Sequence, residues 1–258
     1  MAEKNENIAE QVQTSPTPAA ARKLSRESQT DADYSQWLRG ELDNLTRRAY
    51  GRIFYPRGTR ANYDFVFGPW AEQTRVFAVD MFNLIKEELF TLPWGSHYTL
   101  LDIGAGCGAG TALLASFFEK PYFGYTIACE AMESTAQWAE LYRILYPDLR
   151  VRTDSPLDVA DGSYDVVTVS HMVERIPRGE VAAHIRKLAA ISRKFTIVTC
   201  PWREAPPLHP AHAFSVDDDL LDEVAPDSYS LFRSFGWNNP VADPRLLQSV
   251  AMVFRHKN

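Results

Sequence analysis

A chain of 258 residues has room for one large domain, or for one domain with an appendage. Its 45% hydrophobic content is ordinary for a globular protein, and a net charge of −6 with a pI near 5.6 argues against a surface built mainly to grip nucleic acid. No apolar run approaches the roughly 20 residues of a membrane helix. Glu3, Glu6 and Glu10 stand where a secretory or transit signal would need other chemistry, and three cysteines without a CxxC pair exclude a disulfide framework or zinc knuckle. A reduced, cytoplasmic setting is the expectation.

Residues 1–33 are polar, with Ser-Pro-Thr-Pro-Ala-Ala-Ala at 15–21, and predict a disordered tail, because such a segment buries too little apolar surface to offset its ordering entropy. From Tyr34 a helical period places Trp37, Leu38, Leu42, Leu45 and Ala49 on one face, ending near Tyr50-Gly51. An aromatic connector follows, with Ile53, Phe54, Tyr63, Phe65, Phe67 and Trp70; it reads either as helix-to-sheet core or as an aromatic wall against a ligand. A second helix is expected over 71–90, with Phe77, Met81, Leu84, Ile85 and Leu89 inward.

The segment 99–115 organises the rest. Leu100-Leu101-Asp102-Ile103 has strand length, the glycines Gly104, Gly106, Gly108 and Gly110 follow in alternation, and Ala112-Leu113-Leu114-Ala115 resumes as helix. Glycine accepts positive φ and lets a ligand approach the backbone, and the turn is expected to present N–H groups at the positive end of the helix dipole. A nucleotide-like ligand is therefore expected at the carboxyl end of this strand.

A second strand is expected over 125–130, closed by Glu130, 26 residues after Gly104; its carboxylate can accept from two vicinal ribose hydroxyls, with Glu133 a nearby competitor. A helix over 131–145, a short strand near 149–152, a fourth strand through 165–170, an amphipathic helix over 180–193 and a fifth strand over 194–200 continue the alternation. The stretch 201–215, with Trp202, Pro206, Pro207, His209, Pro210 and His212, is too rich in proline for an element interior and lies past a strand's carboxyl end. His209-x-x-His212 is half a metal site with no clear third ligand, and no metal is expected. Ser215-x-x-Asp218 has the spacing of a capping box, and 246–255 closes the chain as a strand.

The string from Leu101 to Gly108 resembles motif I of the class I S-adenosylmethionine (SAM)-dependent methyltransferases, an acidic residue two before the first glycine of GxGxG. The passage from Asp161-Gly162-Ser163-Tyr164-Asp165-Val166-Val167 to Ser170-His171-Met172 is similar to the same family's fourth strand, and Glu130 matches its acidic residue closing strand two. This resemblance covers roughly 95–258. It implies a three-layer α/β sandwich with a mainly parallel, seven-stranded sheet ending in a reversed strand. A disordered tail (1–33), a helical N-terminal lid (34–95) and a SAM-binding domain (96–258) would make up the chain.

It also implies the site. Asp102, Gly104, Ala105, Gly106, Cys107, Gly108, Glu130, Ala131, Asp154, Ser155, Ser170 and His171 would hold SAM, with S-adenosylhomocysteine (SAH) as product. Tyr63, Trp70 and Trp202 would face the acceptor, and His171, His209 and His212 are the base candidates, since a hydroxyl acceptor must lose a proton whereas an amine can shed it beforehand. Asp165 is read as supporting its strand and Glu174 as capping the following turn; Cys107, Cys129 and Cys200 as small apolar filling; His97, His184 and His256 as surface or packing. The expected acceptor is an oxygen or nitrogen of a small molecule, such as a sugar, nucleotide-sugar or natural-product intermediate. A homodimer is allowed for; membrane and nucleic acid are not expected as partners. Three alternatives stay open: a tRNA or protein methyltransferase, for which Arg47, Arg48, Arg52, Arg57 and Arg60 would meet the partner; a non-catalytic SAM-fold protein; and an NAD-dependent oxidoreductase, since Gly104-x-Gly106-x-x-Ala109 also fits a dinucleotide fingerprint.

Overall fold

The computed structural model describes residues 45, 47–54, 66, 69–118, 124–204, 212–233 and 248–256, the side chains of 69–73 and 233 apart. Contacts divide the chain into Met1–Arg47 and Arg48–Asn258. All elements named below lie in the second unit. The expected tail, the helix positions Trp37, Leu38 and Leu42, Tyr63, Phe65 and Phe67, the Trp70 side chain and His209 lie outside what is described.

Helical residues 48–54 run through Gly51 rather than stopping there, and Phe54 belongs to this helix, stacked on Tyr50 at 4.7 Å and tilted against Trp138 at 4.8 Å. The next helix, α1, spans Pro69–Leu89, and thus includes Trp70 in its first turn; proline suits that position because it has no N–H to satisfy. Ala78, Met81, Ile85 and Leu89 are its buried stripe.

The sheet has seven strands, β1 His97–Ile103, β2 Thr126–Met132, β3 Arg150–Arg152, β4 Tyr164–Ser170, β5 Ser192–Pro201, β6 Ser228–Arg233 and β7 Gln248–Arg255. Their spatial order is β3-β2-β1-β4-β5-β7-β6, parallel except for β7, which runs antiparallel to both neighbours. Helices α2 Ala109–Phe117, α3 Ala136–Leu145, α4 Arg178–Ala190 and α5 Asp218–Val224 complete the described elements.

Both sheet faces are covered, which is why the central strands read as continuous apolar runs rather than alternating ones. On one face Leu100, Val166 and Ile197 pack with α1 and with Leu114 of α2. On the other, Leu101, Ile103, Val167, Val169 and Val198 pack with Val181, Ile185 and Leu188 of α4 and Leu220 of α5. This is the expected three-layer arrangement with a reversed strand near its edge. At the amino end of β4, Asp165 does support its strand: Oδ2 accepts from the Thr99 backbone N–H at 2.9 Å and hydroxyl at 3.0 Å, and Oδ1 from Arg193 Nε at 3.1 Å.

Three boundaries differ from expectation. β2 continues to Met132, because Asp102 and Ile103 of β1 offer ladder partners to Ala131 and Met132; the following helix therefore starts at Ala136, not at 131. β5 begins at Ser192, so Arg193 is strand rather than helix. The cap of α5 is Asp217, whose carboxylate accepts from Leu220 N at 3.1 Å, while the Ser215 hydroxyl is buried without a hydrogen-bond partner among the described residues. No described helix is long and apolar enough to cross a membrane.

Candidate active site

The order of strands places the switch point of the sheet between β1 and β4, and open α/β sheets keep their ligands at such a point, outside the carboxyl ends of the strands. Two clusters of functional groups meet there.

The first is the glycine turn. Gly104, Gly106 and Gly108 have φ of +81°, +57° and +89°. At Gly108, the residue preceding α2, a Cβ would lie 2.3 Å from the Tyr142 ring, so only glycine fits. Four N–H groups of this turn are taken up within the protein: Gly104 N and Ala105 N donate to Met132 O at 2.9 and 3.1 Å, Gly106 N to Glu133 Oε2 at 2.9 Å, and Gly108 N to Ala105 O at 2.9 Å. The turn is thereby tied to the end of β2. Ala105 and Ala131 are buried against Tyr142, and Cys107 is buried too, burial raising its thiol pKa; none of the three offers a polar group to a ligand through its side chain.

The carboxylates sort differently from the sequence expectation. Asp102 accepts from Thr168 Oγ1 at 2.9 Å and from Thr111 Oγ1, so it braces β1 to β4 and α2. Burial raises its pKa, and the two hydroxyls oppose that rise. Glu130 does not end β2; it lies two residues inside the strand and accepts from Tyr164 Oη at 2.5 Å. Tyr164 in turn accepts from Arg152 at 3.2 Å, and Arg152 binds Asp154 through Nε at 3.0 Å and through a second nitrogen. Ser155 accepts from Leu157 N at 3.2 Å and caps the short turn Pro156–Asp158. Glu133 is the carboxylate at the strand's end, 8% exposed, accepting from Gly106 N at 2.9 Å and Thr135 N at 2.7 Å. The N-cap position of α3 is Thr135, a residue type that favours helix starts, and this is the signal in the sequence for a strand that ends later than Glu130.

The second cluster lies past β4 and β5. Ser170 Oγ, the last side chain of β4, accepts from Thr199 Oγ1 at 3.2 Å. His171 follows with a left-handed φ of +50°, its N–H held by Thr199 O at 2.9 Å, and its ring stacked on Phe77 of α1 at 3.6 Å and 13°. Burial, with smaller contributions from His212 and Arg175, lowers its pKa to about 3. Glu174, in the turn Val173–Arg175, is 1% exposed, and among the described residues neither carboxylate oxygen takes a hydrogen bond. Its Oε1 lies 4.0 Å from His171 Nδ1 and 3.7 Å from His212 Nε2. Burial raises its pKa to about 7. His212 Nδ1 meets Glu204 Oε2 at 2.7 Å, and Glu204 is itself buried with Oε1 unbonded among the described residues.

The structure thus brings His171 and His212 together around two buried acids. Reading Glu174 as a cap missed this, and neither Glu204 nor Phe77 stood out as functional. Trp202 is corrected: it is 5% exposed, bridges to Val216 and belongs to the core, so it does not form a wall toward an acceptor. Burial raises the Cys200 thiol pKa well above its usual value, with Glu174 and Glu204 adding to the rise, in keeping with inert filling.

Residues 101–194 match the family described as a methyltransferase domain. A search of curated proteins finds no match. Among solved structures, the chain is similar to magnesium protoporphyrin IX methyltransferase (ChlM) from Synechocystis PCC 6803 with bound SAH, at 14% identity and a TM-score of 0.52, over 86% of this chain and 99% of that one. It is also similar to the plantazolicin methyltransferase BamL in complex with a triazolic desmethylPZN analog and SAH (11%, TM-score 0.54, 84% and 97%) and to the CurJ carbon methyltransferase (13%, TM-score 0.52, 90% and 72%). Residues 101–194 thus match a methyltransferase domain, and the chain has the fold of these methyltransferase structures, two of them with SAH bound.

Proposed function

We propose that the chain methylates an oxygen or nitrogen of a small molecule, with SAM bound across the ends of β1 and β2 and the acceptor beside His171. The observation that carries this reading is Glu133. Each of its oxygens accepts one backbone N–H, which leaves a lone pair on each for a pair of vicinal hydroxyls such as those of a ribose. Beside it the glycine turn leaves no Cβ between backbone and ligand. Glu130, occupied by Tyr164, is the weaker candidate for the same task.

When bound, SAM supplies a methyl group already activated by a sulfonium, so the protein's part is alignment and handling of the acceptor's proton. His171 is clamped by Phe77 and by its own backbone, and its lowered pKa keeps the imidazole neutral and able to accept. His212, oriented by Glu204, flanks it. That two of the similar structures are named for a porphyrin and for plantazolicin supports an acceptor of small-molecule or natural-product size.

Calorimetric titration with SAM, SAH and NADH tests the reading. SAH is expected to bind in the micromolar range and to weaken at least tenfold, about 1.4 kcal/mol, in Glu133→Ala, with a smaller loss in Glu130→Ala. Binding of NADH but of neither SAM nor SAH would turn the assignment to a nicotinamide enzyme.

A further inference from the structure

We propose that Glu174 is a positioning residue that acts through His171: its carboxylate faces the imidazole without a hydrogen bond to it in this structure, and by way of the ring it is where the proton of a hydroxyl acceptor comes to rest. This rests on the methyltransferase reading above.

The geometry is that of a built site. The Glu174 carboxylate follows directly on the carboxyl end of β4, nine-tenths and more buried, with both oxygens lacking a hydrogen-bond donor among the described residues. Its backbone cannot swing it outward, since Ala213 N donates to Glu174 O at 2.7 Å and Ile176 N to Val173 O at 3.0 Å. One oxygen, Oε1, faces both His171 Nδ1 and His212 Nε2. A buried carboxylate without donors is costly when charged, and a proton relieves that cost. Burial is the largest influence and disfavours the charged form, with Glu204 adding to it, while the residue's own backbone N–H, His212 and Arg175 favour it. From α1 the face presented to His171 is the uncharged ring of Phe77, and from β5 the thiol of Cys200 feels both acids.

The step balances as follows. The acceptor's O–H bond breaks as its oxygen bonds the methyl carbon, and the electron pair of the carbon–sulfur bond stays with the thioether product. The proton passes to His171 Nε2, and the Nδ1 proton moves to an ionised Glu174 once the 4.0 Å between them closes to hydrogen-bond distance. A buried imidazole is a poor place for charge to stay, and the carboxylate beside it is neutralised on taking the proton.

Infrared titration of the full chain between about pH 5 and 9, with histidine ring NMR on the same samples, tests this. A single buried carboxylic-acid band is expected to titrate near neutral pH, to vanish in Glu174→Gln and to persist in Glu204→Gln. The His171 ring signal should follow the same midpoint in the wild type and lie flat in Glu174→Gln. Absence of the band, its survival in Glu174→Gln, or a His171 signal blind to that midpoint would overturn the proposal. SAH calorimetry on these proteins separates the two readings: SAH binding without the band overturns the proton site alone, whereas a band without SAH binding overturns the methyltransferase reading and the acceptor's part with it.

Discussion

The two halves of the sheet's carboxyl edge handle buried acids in opposite ways. Beside β1 and β2, Asp102 takes two hydroxyls, Glu133 two backbone N–H groups and Glu130 a phenol. Beyond β4 and β5, Glu174 takes none and Glu204 leaves one oxygen bare among the described residues. A satisfied carboxylate holds a turn in one shape; an unsatisfied one stays sensitive to any proton or donor that arrives. The difference matches the division of labour proposed above, in which the first half fixes a cofactor and the second takes up a proton.

That contrast is breakable. The largest effect is expected at Gly108→Ala, where a methyl group would meet the Tyr142 ring at 2.3 Å and φ is +89°. Backbone strain and overpacking together should cost about 3–5 kcal/mol in a denaturant melt, and SAH binding should fall with it. A variant as stable as the wild type would show that the turn is not rigid.

On the other half, Glu174→Gln should stabilise the protein, and only at high pH. The folded-state pKa of Glu174, about 7, lies above its ordinary 4.5, so its contribution is fully present below pH 4.5 and is lost as pH rises through 7. His171 runs the other way, from an ordinary 6.5 to about 3, giving stability above 6.5 that is lost as pH falls through 3. Because His171 is common to both proteins, the difference between their melts isolates Glu174. The variant should gain up to about 3 kcal/mol by pH 9 and little at pH 4.5. An equal offset at both values would mean that the carboxylate is ionised throughout.

How much of this could be read in the sequence follows from how local each feature is. The glycine turn and the central strands are local: Leu100 to Ile103 is apolar without a break because both faces are covered. The end of β2 is less so, since the residues that extend it, Ala131 and Met132, are held by their register to Asp102 and Ile103 on another strand. The sequence reading therefore closes the strand at Glu130, with Glu133 as competitor, whereas the strand runs on to Met132 and leaves Glu133 at its end. The acid–histidine cluster is not local at all. Glu174, Glu204 and His212 come from separate turns past β4 and β5, and nothing in an isolated Glu marks it for burial beside two imidazoles. Trp202 failed for the same reason, its environment being set by Val216 across a bridge.

The smallest expected effect creates the contrast where it is now missing. Glu88 of α1 is 7% exposed and is gripped by Arg255 of β7 through two bonds of 2.7 and 2.6 Å. Arg255→Ala removes the donors and leaves Glu88 as bare as Glu174. The loss should be about 1–2 kcal/mol near pH 8, moderated because the Arg255 side chain is 40% exposed and water can reach the site. Arg255→Met, which keeps an apolar stem and loses the donors, should show the same loss. A deficit that Arg255→Met repairs would show that packing of the arginine stem, rather than the charge it neutralises, is what α1 draws from β7.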